Sequence, residues 1–234
     1  MSALCVIPAR GGSKRIARKN LRDFAGKPML AHALGAALDS GVFDTVHVST
    51  ENADIAAIAA DHGAPPDFAR APELADDHTP IRDVVKSVLA EYARRGKAFD
   101  TVALVYATAV LITPGDLCAA LAAFAADDSR PLLAVVEADA PPARLMVKAG
   151  GVLAPAFPEG FANRTQDLSM AYRDAGAFAV FSAGTLSGDR DGAAALAFRP
   201  FELPRWKGVD IDTEADWRFA EIIKAGLAAQ GDIP

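Results

Sequence analysis

Apolar residues in this chain follow two rhythms that take turns. Short runs, unbroken or alternating, predict strands at Ala3–Ile7, Asp44–Ser49, Thr101–Tyr106, Pro131–Val136, Ala177–Phe181 and Leu196–Phe201. The stretches between them repeat at helical spacing. Helices are predicted over Met29–Leu38, with Pro28 at the first helical position, and from an Asn52 cap to Ala60, with Gly63 as the stop. Thr79-Pro80 opens another helix to Arg95, with Val84, Val85, Val88 and Leu89 on one face. Pro114 to Ala126 and Thr213 to Ala229 are the last two. Strands alternating with helices predict an α/β fold, three-layer and doubly wound, with a mostly parallel sheet.

Two segments break the rhythm. Ala64–Pro80 is rich in proline and acid and reads as a long loop, a length that in compact domains is often functional. Ala140–Arg173 carries Pro141-Pro142, a hairpin predicted around Gly150-Gly151, then Pro155 and Pro158. It reads as an excursion from the sheet, an arm or a lid. No repeat, low-complexity tract or linker divides the chain, so a single domain over 1–234 is expected.

Composition narrows the function classes. At 234 residues and 51% apolar, the chain has ample material for a core. A net charge of −6 argues against a general nucleic-acid or membrane-surface binder. No run approaches the roughly 20 apolar residues of a spanning helix, and Met1-Ser2-Ala3 leads into a strand without a signal-peptide pattern. Cys5 and Cys118 sit in apolar contexts without metal spacing, as free thiols of a reducing compartment do. A cytoplasmic protein is expected.

One stretch runs against the acidic background. Arg10, Lys14, Arg15, Arg18, Lys19 and Arg22 put six cations and no acid between residues 10 and 22, leaving −12 on the remainder. The loop follows the first strand, where open α/β sheets bind ligands, and Gly11-Gly12-Ser13 offers unhindered amides. A triphosphate is the expected client; a merely solvated charged loop is the alternative. The loop is neither a Walker A sequence nor a dinucleotide fingerprint. Near the other end, Asp210 and Asp212 share one side of an expected strand and can converge on a hard cation such as Mg²⁺. The competing use of Asp212, as a cap of the last helix, is one that Thr213 with Asp216 can fill. His32, His47, His62 and His78 lack metal-ligand spacing, and no serine or cysteine nucleophile has an activating partner.

These residues carry a family likeness. Ile7-Pro8-Ala9-Arg10-Gly11-Gly12-Ser13-Lys14, Lys19-Asn20, Gly26-Lys27-Pro28, Val48-Ser49-Thr50 and Asp210-Ile211-Asp212-Thr213 resemble the cytidylyltransferases that activate nonulosonic acids. Arg205-Trp206-Lys207, Asp216-Trp217, Gln166-Asp167-Leu168 and Asp174-Ala175-Gly176 look most like the pseudaminic acid group. The resemblance implies a nucleotide-diphospho-sugar transferase-like fold and Mg²⁺-dependent transfer of CMP from CTP to the anomeric hydroxyl of a nine-carbon keto-acid sugar. It assigns Ala9, Arg10, Gly11, Gly12, Ser13, Lys14, Asn20, Arg70 and Asp77 to the nucleotide. Arg10, Lys14, Lys19, Asp210 and Asp212 carry the catalytic role, and the two aspartates hold the metal. Tyr106, Thr108, Arg164, Gln166, Tyr172 and Arg173 fall to the sugar. It also implies a homodimer, with the excursion as a small protruding dimerisation arm.

The chain departs from the pattern in two places. Ala107-Thr108-Ala109-Val110 lacks the two prolines that relatives carry, and Ala177-Phe178-Ala179-Val180 stands where pseudaminic-type relatives read Gln-Phe-Tyr-Trp. Both segments are expected near the sugar. They leave open the same reaction on a legionaminic, sialic or other 3-deoxy-keto-acid sugar, or a nucleotide-binding homologue without transferase activity.

Overall fold

A computed structural model describes residues 2–187 and 197–231. The chain opens with β1 (Ala3–Pro8), a two-residue pair β2 (Asp23–Phe24) and β3 (Lys27–Pro28), then α1 (Met29–Ser40), β4 (Thr45–Ser49) and α2 (Ala53–Asp61). Next come α3 (Ile81–Arg94), β5 (Thr101–Val105), α4 (Pro114–Ala126) and β6 (Leu132–Glu137). The excursion holds β7 (Met146–Ala149), β8 (Val152–Pro155) and the single turn α5 (Pro158–Phe161). It is followed by β9 (Tyr172–Ser182), α6 (Ala183–Ser187), β10 (Arg199–Glu202) and α7 (Glu214–Gln230).

Six strands form the main sheet in the order β10-β6-β9-β5-β1-β4. β9 runs antiparallel to both β5 and β6, and the other neighbours are parallel. β1 lies between β4 and β5, with Cys5 opposite both Val46 and Ala103. A strand covered on both faces must be apolar throughout, which is why Leu4-Cys5-Val6-Ile7 shows no alternation. Its side chains still separate by parity. Cys5 and Ile7 enter the core under α1, α2 and α4, while Leu4 and Val6 meet α3 and α6. All four are inaccessible to solvent, and burying each large apolar side chain contributes roughly 1.5–3 kcal/mol.

A third apolar cluster lies beside these two and ties distant segments together. Ile16 of the basic loop, Phe24, Met29, Val110, Leu111, Ile211 and Trp217 pack against one another. The loop after β1, the loop after β5 and the start of α7 are thereby fixed in one place by burial.

The structure moves several expected boundaries. Pro28 stands just before α1 and pairs with Asp23 instead of occupying the first helical turn. β9 begins at Tyr172, five residues before the expected strand. Its first three residues are exposed and polar, so no apolar run announces them, but they pair with Val135–Glu137 of β6. Residues 209–212 belong to no ladder, correcting the expected strand there. Ile211 is nonetheless buried between a more exposed Asp210 and Asp212, so the aspartates keep a common side. β10 starts at Arg199, and Leu196 lies outside the described residues.

Candidate active site

After β1 the chain reaches β4 on one side, and it later returns to β5 on the other. This is a topological switch point, where strand ends diverge and leave a crevice. The loop after β1, Ser49–Asn52 after β4, Tyr106 after β5 and the start of antiparallel β9 all emerge at this edge.

The basic loop is bound into the protein from both sides. The Ala9 amide donates to the Ser49 carbonyl at 2.9 Å, and the Asn20 side chain donates to the Arg10 carbonyl at 3.0 Å, closing the loop on itself. The Gly11 amide donates to Glu51 Oε1 at 2.7 Å, and the Ser13 amide to the Gly11 carbonyl at 3.0 Å. A Cβ on Gly11 would lie 2.7 Å from the Asn52 side chain, so a glycine is needed for this approach. Gly12 is exposed between them.

Each cation of the loop has an anionic partner. Arg10 meets Asp77 at 2.6 Å and Lys14 reaches the same carboxylate. Arg15 pairs with Asp212 at 2.7 Å, Arg18 with Asp54 at 2.8 Å and Arg22 with Glu214 at 2.6 Å. Lys19, half-buried, donates to the Ile211 carbonyl at 2.7 Å and lies 3.5 Å from Asp212. Residues about 190 positions apart are thus brought together by charge, and the loop and the aspartates form one site. Exposed pairs of this kind contribute up to about 1 kcal/mol each. Their value here is positional.

Asp210 stands over Gly176. A Cβ at that glycine, whose φ is +63°, would come within 3.2 Å of Asp210 Cβ. Protein crowding first and the charge of Asp212 second push the Asp210 carboxyl above the ordinary carboxylate range, although its rim remains exposed. Crowded carboxylates a residue apart suit a cation that keeps waters and takes phosphate oxygens as further ligands. Among the described residues, no group of three or more His, Cys, Asp or Glu is arranged to hold a metal ion by itself. Thr213 and Asp216 form a complete capping box on α7, which leaves the carboxylates of Asp210 and Asp212 free of that duty.

Arg70 is buried, not a surface residue of its acidic loop. Its guanidinium donates to the Ser49 hydroxyl at 3.1 Å and to the Ser49 carbonyl at 2.6 Å, and burial lowers its pKa. Tyr106, half-buried at the end of β5, is pushed up by burial and then by Asp174 and Asp210. It lines a cavity of about 480 Å³ together with Asp174, Leu104, Leu133, Ala179 and Phe181. Thr108 lies half-buried in the turn beyond. Arg173 donates to the Gly208 carbonyl at 2.6 Å, holding the backbone that leads into Asp210.

Other expected sugar residues lie apart. Tyr172 is exposed at the outer end of β9, opposite Glu137. Arg164 pairs with Asp167 within the excursion, and Gln166 is exposed on the same short turn. The two departing segments are mostly core. Ala107, Ala109, Ala177, Phe178 and Val180 are buried in the main cluster and Val110 in the cluster around Trp217, while Ala179 faces the cavity. Glu51 was not expected here, and Arg15 was expected only as one charge of the basic loop. Glu51 reads as an ordinary acid ahead of a helix, and nothing in the sequence pairs Arg15 with Asp212. Gly176 stands just ahead of the expected strand, so its close approach to Asp210 became visible only once β9 was seen to begin at Tyr172.

The match to known proteins is extensive. Residues 4–199 fit the profile of the family described as cytidylyltransferase. The chain belongs to the cytidylyltransferase family. A pseudaminic acid cytidylyltransferase of Campylobacter jejuni subsp. jejuni serotype O:2 is 37% identical over 228 residues, covering 95% of this chain and 96% of the relative. A CMP-N,N'-diacetyllegionaminic acid synthase of Legionella pneumophila is 39% identical over 114 residues, about half of each chain (49% and 49%). Among solved structures, a CMP:2-keto-3-deoxy-manno-octonic acid synthetase complexed with CTP superimposes with a TM-score of 0.72 at 20% identity, covering 97% of this chain and 99% of that one. A 4-diphosphocytidyl-2C-methyl-D-erythritol synthase gives 0.67 at 15% identity, with 95% and 98% covered. At these identities the two structures speak to the fold alone, which this chain shares over nearly its whole length.

Proposed function

We propose that this cytidylyltransferase transfers CMP from CTP to the anomeric hydroxyl of a nonulosonic acid, pseudaminic acid being the first choice, and releases pyrophosphate. The observation that carries the proposal is the joining of the basic loop to Asp212 through Arg15 and Lys19 at the switch point. Its acceptor component rests on full-length similarity to a protein named for pseudaminic acid.

The hydroxyl oxygen attacks the α-phosphorus and gives its proton to water, the bond to the bridging oxygen breaks, and pyrophosphate departs with the electron pair. Positioning and charge neutralisation govern such a step. Arg10 and Lys14 receive the phosphate oxygens, with Ser13 and the Gly12 backbone beside them. Asn20 and Arg70 keep the loop and the β4 end in register for the nucleoside. Lys19 holds the Ile211 carbonyl and so orients Asp210 and Asp212, the residues that would hold Mg²⁺. Bound there, the ion supplies charge neutralisation at the phosphates. Tyr106 and Asp174 border the cavity that receives the acceptor, with Thr108 in the turn after Tyr106, and Arg173 keeps Gly208–Asp210 in place.

We assign the chain to one domain with an arm, working as a cytoplasmic homodimer. Cys5 is buried and unpaired with its thiol pushed up by burial, and Cys118 is also free, which suits a reducing compartment. Among the described residues no helix is long and apolar enough to cross a membrane. The test is pyrophosphate release from CTP with pseudaminic, legionaminic and sialic acids compared. Turnover is expected with a nonulosonic acid, pseudaminate fastest, and Asp212→Ala should lose turnover and the Mg²⁺ requirement together. CTP binding without release on any acceptor would contradict the transferase assignment.

A further inference from the structure

The two cations expected to receive the triphosphate already hold an anion. Asp77 spans Arg10 and Lys14, and the adjacent Asp76 carbonyl accepts a second hydrogen bond from Arg10 at 2.7 Å. A carboxylate between an arginine and a lysine is the arrangement a phosphate oxygen would make with the same pair.

The segment that carries it is built as a tethered flap. At one end Arg70 is buried and its amide donates to the Thr50 carbonyl at 2.9 Å. At the other, Pro80 caps α3. Between them residues 76–78 are exposed, and the turn is held by its own polar groups. Asp76 Oδ1 accepts from the His78 amide at 2.9 Å and from the Thr79 amide and hydroxyl at 2.6 and 2.7 Å. A segment with anchored ends, a self-contained turn and little buried apolar surface opens at low cost. Beneath it lies a cavity of about 210 Å³ bordered by Arg10, Arg70, Asp76, Asp77, Thr79 and Ile81.

We propose that Asp77 is an internal counter-anion that holds residues 76–79 down on the phosphate cradle, and that a nucleoside triphosphate enters by displacing it. This rests on the assignment of the basic loop to the triphosphate. Binding is then an exchange of anions. Phosphate oxygens take over Arg10 and Lys14, Asp77 returns to water, and the flap leaves the cavity. The exchange gives Asp77 a sign opposite to that of a nucleotide ligand, because it competes with phosphate for the same donors. It also spares the empty protein an uncompensated pair of neighbouring cations.

The experiment measures binding of inorganic tripolyphosphate and of CTP, without metal, to the native chain and to Asp77→Asn. Amide exchange of residues 72–80 is followed in parallel. The proposal expects Asp77→Asn to bind both probes about 3- to 10-fold more tightly, the scale of two exposed ion pairs. It also expects tripolyphosphate to speed amide exchange at residues 76–79 of the native chain. Weaker CTP binding with unchanged tripolyphosphate binding would overturn it and make Asp77 a contact of the nucleoside. Unchanged binding of both probes would also overturn it, leaving the ion pairs without effect on entry. If neither protein binds either probe, the flap and the triphosphate assignment fall together.

Discussion

His32 and His47 are buried and held neutral. His32 Nε2–H donates to the Phe24 carbonyl at 2.7 Å, and His47 packs on Phe68 with ring centroids 4.4 Å apart. Burial lowers each to about 4 from 6.5. For each, the folded value lies below the unfolded one, so the stabilisation is complete above about pH 6.5 and fades as pH falls toward 4. Each unit of difference is worth about 1.4 kcal/mol. Denaturation midpoints measured from pH 7 to pH 4 should therefore fall, with proton uptake on unfolding, and a flat profile would remove both histidines from the account. A second residue-scale expectation concerns Gly176. Its left-handed backbone strains any side chain, and a methyl group there would press on Asp210 at 3.2 Å and push it aside. Gly176→Ala should lower turnover at least 10-fold with stability reduced by about 1–2 kcal/mol, read from steady-state kinetics beside a melting curve; full activity would show that Asp210 need not keep its position. At this scale the sequence was informative about type and silent about partners. Arg10 through Lys19 stood out as charge, and Asp210 and Asp212 as a pair. That Arg15 would meet Asp212, or Glu51 the Gly11 amide, depends on long-range packing that residue order does not encode locally.

α4 illustrates how an element is held at both ends of its logic. Thr113 and Asp116 cap it reciprocally, a pattern readable from Thr113-Pro114-Gly115-Asp116. The same Asp116 carboxylate takes the ammonium of Lys207, which is nearly inaccessible, and so joins α4 to the turn before Val209-Asp210. Removing one member of a buried pair leaves the other uncompensated, at a cost of roughly 3–5 kcal/mol. Asp116→Ala should accordingly destabilise by well over the roughly 1 kcal/mol of a lost cap; a loss limited to that amount, by urea titration, would show that Lys207 finds water instead. The five long helices were legible to within a residue or two because caps, prolines and periodicity agree, whereas the short α5 and α6 carry too few turns to show a period. β9 was not, because its first residues are polar and its antiparallel insertion between β5 and β6 is a tertiary choice. The extended 209–212 segment is the complementary case. Its alternation resembles a strand, yet the structure gives it no ladder and holds it by burying Ile211 and by Lys19.

Over the whole molecule, apolar surface is distributed unevenly. Val147, Val152, Leu153 and Phe157 of the excursion, which the sequence marks as a proline-rich arm with a hairpin at Gly150-Gly151, are 54%, 68%, 60% and 53% exposed. Side chains of this type, left in water on and beside a hairpin that pairs only with itself, are what a second copy of the proposed dimer would cover. Light scattering should find the native chain as a dimer and Val152→Lys/Leu153→Lys as a monomer with an unchanged melting profile; a native monomer would contradict the role given to the arm. The α/β class was visible at this scale because strands and helices alternate, and the site because its charge opposes that of the rest. The acceptor was not, since of the five changed residues Ala107, Ala177 and Val180 fill the main core, Val110 joins the cluster around Trp217, and only Ala179 faces the cavity. Whether the basic loop and the two distant aspartates form one cytidylyl-transferring site is decided by pyrophosphate release from CTP with pseudaminic acid and Mg²⁺. Native protein should release pyrophosphate and form the CMP-sugar in equal amounts, while Lys14→Ala and Asp212→Ala should each lose at least 100-fold, on the scale of a lost charge-stabilising group. Undiminished turnover in either variant would contradict a single shared site.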